Sequence, residues 1–506
     1  MKNLCNGMFL TYRSLLMTLL LTVCVMMNTD VIAQDYPPQT LLSSVNYQPY
    51  ESPTGGIPEY LESFTESMSG STVTRISDKI EFGTSSQRIR HNYSKDQTWN
   101  SDGSLIKLAG YPAAILDGET FEFLFWRDIP GYGRWANTES NYMYGTVGNE
   151  FIKFDVMTND RNTVRTFTEY STVNFGYGEG NQSADDKYIG LIGHSGSDKI
   201  LIVYDIQLDE VVGTKNIGSG GSIDWFSISQ LGNFAVISYA DNGSGPMQGF
   251  KSYDVNFNNE VHVSDHTEHS DLGIDANGNE VIVSYQGPSG WNEGSYLYYA
   301  RLDGGGVTNL FEYPGGIWGG HISTRNIDRP GWAYISEQCC TDHPVASREI
   351  FAVKLDDSGI IERYTKHNND SAPGYGHETQ AVPNRDGTKI LFASNWDDSN
   401  IMSDAFPPSF ILEYPQESLS VDENEIADGF KVYPNPTNDI VNIKIDGPNN
   451  LITGLQLNDV LGRILVNQVV DNENSMMLDL SSYPRGIYLL SVIVDGNKQT
   501  KKIIRE

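Results

Sequence analysis

Nine histidines are spread along the 506-residue chain, and five fall at comparable places in a repeating pattern. His91 lies in Arg90-His-Asn-Tyr-Ser-Lys95, and His194 in Gly193-His-Ser-Gly196. His269 begins a Ser-Asp-Leu-Gly-Ile run, His321 follows Gly320 and His377 follows Gly376. Imidazole titrates near neutrality, so such residues suit proton transfer or metal binding. A single histidine of this kind more often only bonds a neighbouring strand, whereas five at matching places favour a shared site. Arg88, Arg90 and Lys95 form a local basic cluster beside His91. Arg325 offers a planar fork that fits a carboxylate. A second constellation is Cys339-Cys340-Thr-Asp-His343. Two thiolates and an imidazole would need one more ligand, His269 first or His321 second, to close a tetrahedral structural zinc site. A vicinal disulfide and a buried free thiol are the alternatives.

The elements that must carry these residues are strands. From residue 78 to 417 the text alternates short β-branched runs with Gly/Asn/Asp turns. Lys199-Ile-Leu-Ile-Val-Tyr-Asp205 and Phe234-Ala-Val-Ile-Ser-Tyr239 are examples. A turn followed by a strand recurs near Asp102, Ser140, Asp185, Leu231, Asn277, Pro330 and Asp386, at intervals of about 40 to 60 residues. That period predicts an all-β fold, a seven-bladed β-propeller, over a β-sandwich or β-helix. In such a ring, residues just ahead of each innermost strand border a central channel, where side chains distant in sequence converge.

Composition narrows the partners. Against 34 Lys+Arg stand 65 Asp+Glu, a formal net charge of −31. Nucleic acid is therefore excluded as a partner class, because its binding needs a basic footprint. Bound cations, calcium among them, are compatible with this acidity. Residues 1–33 read as a secretory signal peptide: Lys2 and Arg13, an apolar run from Leu15 to Met27, then Ala33. Residues 34–77 are read as a segment joining the propeller. The processed chain is expected to have no transmembrane segment. Its remaining cysteines are the adjacent pair, so no disulfide framework is expected.

A polar linker over 418–430 precedes a distinct module at 431–506, expected to be a small antiparallel sandwich. It contains Tyr433-Pro-Asn-Pro436, Leu461-Gly-Arg463, Gly486-Ile-Tyr488 and a basic end, Lys501-Lys-Ile-Ile-Arg505. These features resemble the C-terminal sorting domain of type IX secretion substrates of Bacteroidetes. The resemblance implies the type IX secretion machinery as a partner and a secreted or cell-surface location.

The stretches Trp99-Asn-Ser-Asp-Gly103, Gly320-His-Ile-Ser-Thr-Arg-Asn326 and Gly376-His-Glu-Thr-Gln380 resemble propeller-type polysaccharide lyases. Ulvan lyases are the nearer likeness and oligogalacturonate lyases the more distant one. The resemblance implies β-elimination on a uronate-containing, sulfated algal polysaccharide. It also implies a channel metal held by residues such as His321, His377 and Gln380, and it supports the structural zinc. Such a reaction removes the proton beside a carboxylate and expels a sugar oxygen. It needs a group that neutralises the carboxylate and groups that take and give the protons. His194, His91, Tyr239 and Arg325 are the catalytic candidates. Arg90, Tyr93, His377 and Gln380 are the substrate-binding candidates. A non-catalytic glycan-binding propeller and a glycosidase with paired carboxylates are the rival functions.

Overall fold

The computed structural model describes residues 40–41, 56–414 and 430–505, apart from 67–68, 85–87, 221, 268, 286–295, 313–319, 338–346, 371–373, 405, 446–450, 460–463 and 495–496. Two compact units divide at Gln416 and Glu417. Nine antiparallel sheets are formed among the described residues, seven in the first unit and two in the second.

One local device repeats along the first unit. A polar residue opens a tight turn and its side chain caps the strand that follows. Asn100 accepts the amide of Leu105 at 3.0 Å, and Asn384 accepts that of Lys389 at 2.9 Å. Ser183 and Ser229 do the same for Tyr188 and Phe234, each at 2.9 Å. Asp275 accepts from Asn279 at 2.8 Å. Gly103, Gly232, Gly278 and Gly387 take left-handed φ of 75–83° in these turns, a conformation that glycine adopts without steric cost. Each turn leads from the inner side of its sheet into a largely buried following strand.

The seven sheets follow one another in sequence. The first holds Leu105–Leu108, Ala113–Asp117 and Phe123–Arg127, with Trp99 bridging to Ile106 on its inner side. The innermost strands of the next five are Arg134–Trp135, Thr172–Asn174, Ile223–Ile228, Ser270–Ile274 and His321–Ser323. The seventh runs outward from Val382–Pro383 through Lys389–Ala393 and Ser409–Glu413. Thr72–Arg75 and Ser63–Thr65, from the front of the chain, complete its outer edge. Segments from the front and the back of the first unit are thus fastened into one sheet.

Hydrophobic cores lie between consecutive sheets and close the circle. Leu105 and Ile115 meet Trp135 and Phe154; Phe151 meets Ile189 and Tyr204; Leu201 meets Phe226 and Tyr239. Phe250 meets Tyr298, Val283 meets Ile335, and Ile350 meets Phe392. Leu391 and Ile411 of the seventh sheet then pack on Ile106 and Leu116 of the first. Strands buried on both faces explain why runs such as 200–204 read as continuously apolar. The architecture is a β-propeller, a ring in which every sheet face is covered by its neighbours.

The second unit pairs Lys431–Tyr433, Ile440–Lys444 and Ser475–Asp479 in one sheet. Its other sheet orders Ile464–Glu473, Ile452–Asp459, Gly486–Val494 and Asn497–Arg505. Val441, Ile443, Leu455, Leu457 and Leu490 fill one core between them, which makes the module a small sandwich.

Candidate active site in the propeller channel

In the first and third sheets the innermost strand is interrupted by an excursion. The amide of Ala109 bonds Arg90 and that of Lys107 bonds Thr98, so residues 91–97 loop out between two paired points. In the third sheet Thr172–Asn174 and Gln182 both pair with the second strand, and 175–181 loop out between them. These excursions carry His91, Tyr93, Lys95 and Glu179. They meet His269, His321, Tyr375, Glu378 and Gln380, which lead into the innermost strands of the fifth, sixth and seventh sheets.

Each histidine of this group has one ring nitrogen engaged and one left over. His91 is wholly buried; its Nε2 faces the carbonyl of Gln380 at 2.5 Å, so it donates, and Nδ1 has no partner. His321, also wholly buried, presents Nε2 to Glu378 Oε2 at 2.6 Å, and its Nδ1 has no partner. His269 is half-buried and donates Nδ1 to the carbonyl of Gly320 at 3.2 Å. Burial, with the nearby Arg90 and Lys95, pushes His321 down to about 3. Burial and the neighbouring His321 lower His269 to about 3. Both rings are therefore neutral at pH 7. His91 is held well below its ordinary range by burial and the adjacent Arg90.

The rings are packed against one another. His269 stacks on His321 at 4.1 Å between centroids. Tyr93 and Tyr375 meet the edge and face of His321 at 5.2 and 5.9 Å. Tyr93 and Tyr375 also share a side-chain hydrogen bond that raises Tyr93 and lowers Tyr375, which makes Tyr93 the donor. Burial still holds Tyr375 up at about 12, so its own hydroxyl proton is present at neutral pH; the residue as a whole is 57% exposed.

Cations lie beneath. Arg90, fully buried, donates to the carbonyl of Gly376 at 2.7 Å and to Gln380 Oε1 at 2.8 Å. Burial, with Arg88 close by, lowers its pKa to about 9, so it stays charged at pH 7. Lys95 bonds Glu179 at 2.8 Å and lies over the Trp225 ring at 4.2 Å.

Other sequence candidates are placed elsewhere. Tyr239 is 1% exposed in the core between the third and fourth sheets, where burial raises it to about 12. The strand end that carries this catalytic candidate points into packing. Arg325 is already clamped, bidentate on Asp271 at 3.0 Å for both bonds and on the Leu272 carbonyl at 2.9 Å. With Gln97, Arg134, Gln182 and Gln230 it lines a narrow cavity on the axis, and its fork is not available to a substrate carboxylate. His377 bonds the carbonyl of Asp404 through Nε2 at 2.7 Å and meets Asn395 through Nδ1, so its ring locks a loop. His194 sits half-buried at the end of the second strand of the third sheet, its ring 6.3 Å from Tyr177. Cys339, Cys340 and His343, the zinc candidates, lie outside the described residues.

The ligand set implied for a channel metal does not fit this geometry. His377 is turned away, and Gln380 Oε1 already receives the Arg90 guanidinium. Among the described residues no three His, Cys, Asp or Glu side chains gather to hold a metal ion. Sequence reasoning missed Tyr375, Glu378 and Glu179. The first two flank His377, so the right loop was singled out through the wrong residue.

A ring of antiparallel sheets that gathers histidine and tyrosine rings where its innermost strands begin defines a propeller of the kind that carries enzymes and binding proteins alike. Comparison with known proteins sharpens this. Residues 431–506 match the family described as the secretion system C-terminal sorting domain; such a tail indicates export through type IX secretion to the cell surface or beyond. A crystal structure of oligogalacturonate lyase from Vibrio parahaemolyticus superposes with a TM-score of 0.51 at 15% identity, over 72% of this chain and 99% of that one. An oligogalacturonate lyase in complex with manganese gives 0.50 at 15% identity, over the same shares. These likenesses establish the propeller fold. The ulvan lyase NLR42 of Nonlabens ulvanivorans is 38% identical over 90 residues, which are 17% of this chain and 16% of that protein. That match is too short to span the ring. Among the described residues no helix is long and apolar enough to cross a membrane.

Proposed function

We propose that the propeller is a polysaccharide lyase that cuts a uronate-containing, ulvan-like anionic polysaccharide by β-elimination outside the cell. The observation that carries this reading is the placement of two proton-transfer groups on one ring. His269 and Tyr375 both pack on His321; Tyr375 is exposed and His269 half-buried. His269 offers a free Nε2 lone pair to take the proton beside the carboxylate. Tyr375, protonated at neutral pH, gives a proton to the departing sugar oxygen. A bound carboxylate raises the affinity of His269 for a proton, because an adjacent negative charge favours imidazolium.

Neutralising the substrate carboxylate falls to the field of Arg90 and Lys95, which are buried beneath the rings and act at low dielectric. His321, Glu378, Tyr93 and His91 are positioning residues. Glu378 fixes the tautomer of His321, His321 seats both reacting rings, and His91 and Arg90 anchor Gln380. No step is routed through a metal. The signal peptide at 1–33 and the sorting tail together take the ring to its polymeric substrate.

The test adds purified protein to ulvan and to polygalacturonate and follows ultraviolet absorbance of unsaturated uronate ends. Absorbance should rise on one of them, and the rise should vanish in His269→Ala. Retained binding with no rise on either polymer would favour the glycan-binding reading instead.

A further inference from the structure

The excursion at 175–181 holds a feature that the proposed chemistry does not use. Tyr177 has φ of +56° and ψ of 27° inside a short turn. A bulky residue there is a genuine outlier, and strain of this kind persists only where the surroundings impose it. Even so, Tyr177 keeps 37% of its surface exposed. Beside it, Tyr132 is 53% exposed. Its ring lies on the backbone of Gly178, where a Cβ would come within 2.9–3.2 Å of three ring atoms.

A buried guanidinium sets these two tyrosines relative to each other. Arg134 donates to the carbonyls of Tyr132 at 3.1 Å and Gly180 at 3.1 Å, and also to that of Gly178. The turn is fixed from behind as well. A Cβ at Gly176 or Gly180 would strike the Phe226 carbonyl at 1.9 or 2.5 Å. Two exposed aromatic rings are thus held on a rigid ledge by packing that needs glycine at three positions. His194 borders the ledge through Tyr177. Glu179, the next residue after Gly178, carries it to Lys95 and the candidate active site.

We infer that Tyr132 and Tyr177 form a separate subsite that stacks the apolar face of a pyranose ring of the same anionic polysaccharide, one or more units from the sugar held at the histidine cluster. This rests on the substrate class proposed above but not on catalysis. Aromatic faces supply rigid contact area with few rotatable bonds to freeze, and the ledge is continuous with the site where the chain would be cut.

Glycine at 177 removes the ring and relieves the strained φ, so Tyr177→Gly separates binding from folding. In affinity electrophoresis through ulvan-containing gels, Tyr177→Gly and Tyr132→Ala should each weaken retardation by about five- to tenfold in apparent Kd. Tyr177→Phe should keep it, and the melting temperature of Tyr177→Gly should not fall. If the protein is retarded and loses retardation in these variants yet releases no unsaturated product, the lyase reading fails and the subsite stands. Equal retardation of all variants, or none of the unsubstituted protein by ulvan or polygalacturonate, overturns the subsite.

Discussion

Two polar regions lie near the propeller axis, and they differ in what is left unpaired. Along the narrow cavity every named charge has its counter-group. Arg325 is bidentate on Asp271, while Lys107 at 3.0 Å and Arg134 at 3.3 Å share Asp96. Gln230 donates to the carbonyls of Leu272 and Thr324 at 2.9 and 2.7 Å. At the other region, buried polar atoms are left over: Nδ1 of His91, Nδ1 of His321 and Nε of Arg90. Buried polar groups are normally satisfied, and each exception calls for a reason. The cavity pairs its charges across the sheets, although Gln182 Oε1 is left over there too, whereas the other region leaves imidazole and guanidinium nitrogens over.

That contrast breaks first at Asp271. Removing one partner of a buried ion pair strands the other charge, so Asp271→Ala should cost about 3–5 kcal/mol of stability. Thermal unfolding would register it, and a loss under about 1 kcal/mol would mean that Arg325 finds water or another acceptor. Next comes the unpaired region, where the effect moves from stability to rate. Tyr375→Phe removes one exposed hydroxyl and should slow turnover on the cleaved polymer by about a hundredfold, with the melting temperature held. A rate within a factor of about three would take the phenol out of proton transfer.

The third effect is graded with pH. His269, His321 and His367 are each lowered to about 3 by burial. Below pH 6.5 the unfolded chain takes up protons that the folded chain refuses. Stability from these rings is therefore complete above pH 6.5 and drains away as pH falls toward 3, by at most about 1.4 kcal/mol per pH unit for each ring. His367 differs from His321 in having both nitrogens engaged, Nε2 with the backbone carbonyl of Glu337 at 2.7 Å and Nδ1 with the amide of Asn369 at 3.1 Å. Substituting either by Gln should flatten the acid slope of a denaturant titration, but only His321→Gln should also slow the enzyme. The smallest effect is expected at Tyr239→Phe: under about 1 kcal/mol and no change in rate, because that ring is core packing. A large loss of rate there would return Tyr239 to the site.

The strands and turns were legible because their signals are local. Asn100-Ser-Asp-Gly103 and Asn384-Arg-Asp-Gly387 announce the same capped turn in the text and in space. The seven turns mark the starts of the sheets. Convergence of His91, His269 and His321 could also be expected once a ring was inferred, since all three lead into innermost strands. What could not be read was pairing across the ring. Arg325 meets Asp271 at a separation of 54 residues, and nothing near either residue signals it. Tyr239 ends a run buried on both faces, so alternation gave no clue to its direction. In the loop of His377 the exposed Tyr375 and the hydrogen-bonding Glu378 looked ordinary beside a histidine, although the histidine ring is turned inward to Asp404 and Asn395.

The central claim is that this channel end breaks a sugar–oxygen bond by elimination, and the products report on it directly. Mass spectrometry of oligosaccharides released from ulvan or polygalacturonate should find new ends that have gained no water and carry a carbon–carbon double bond. Fragments that have gained one water at each cut would mean hydrolysis, and an intact polymer held by the protein would mean binding alone; either result contradicts the account.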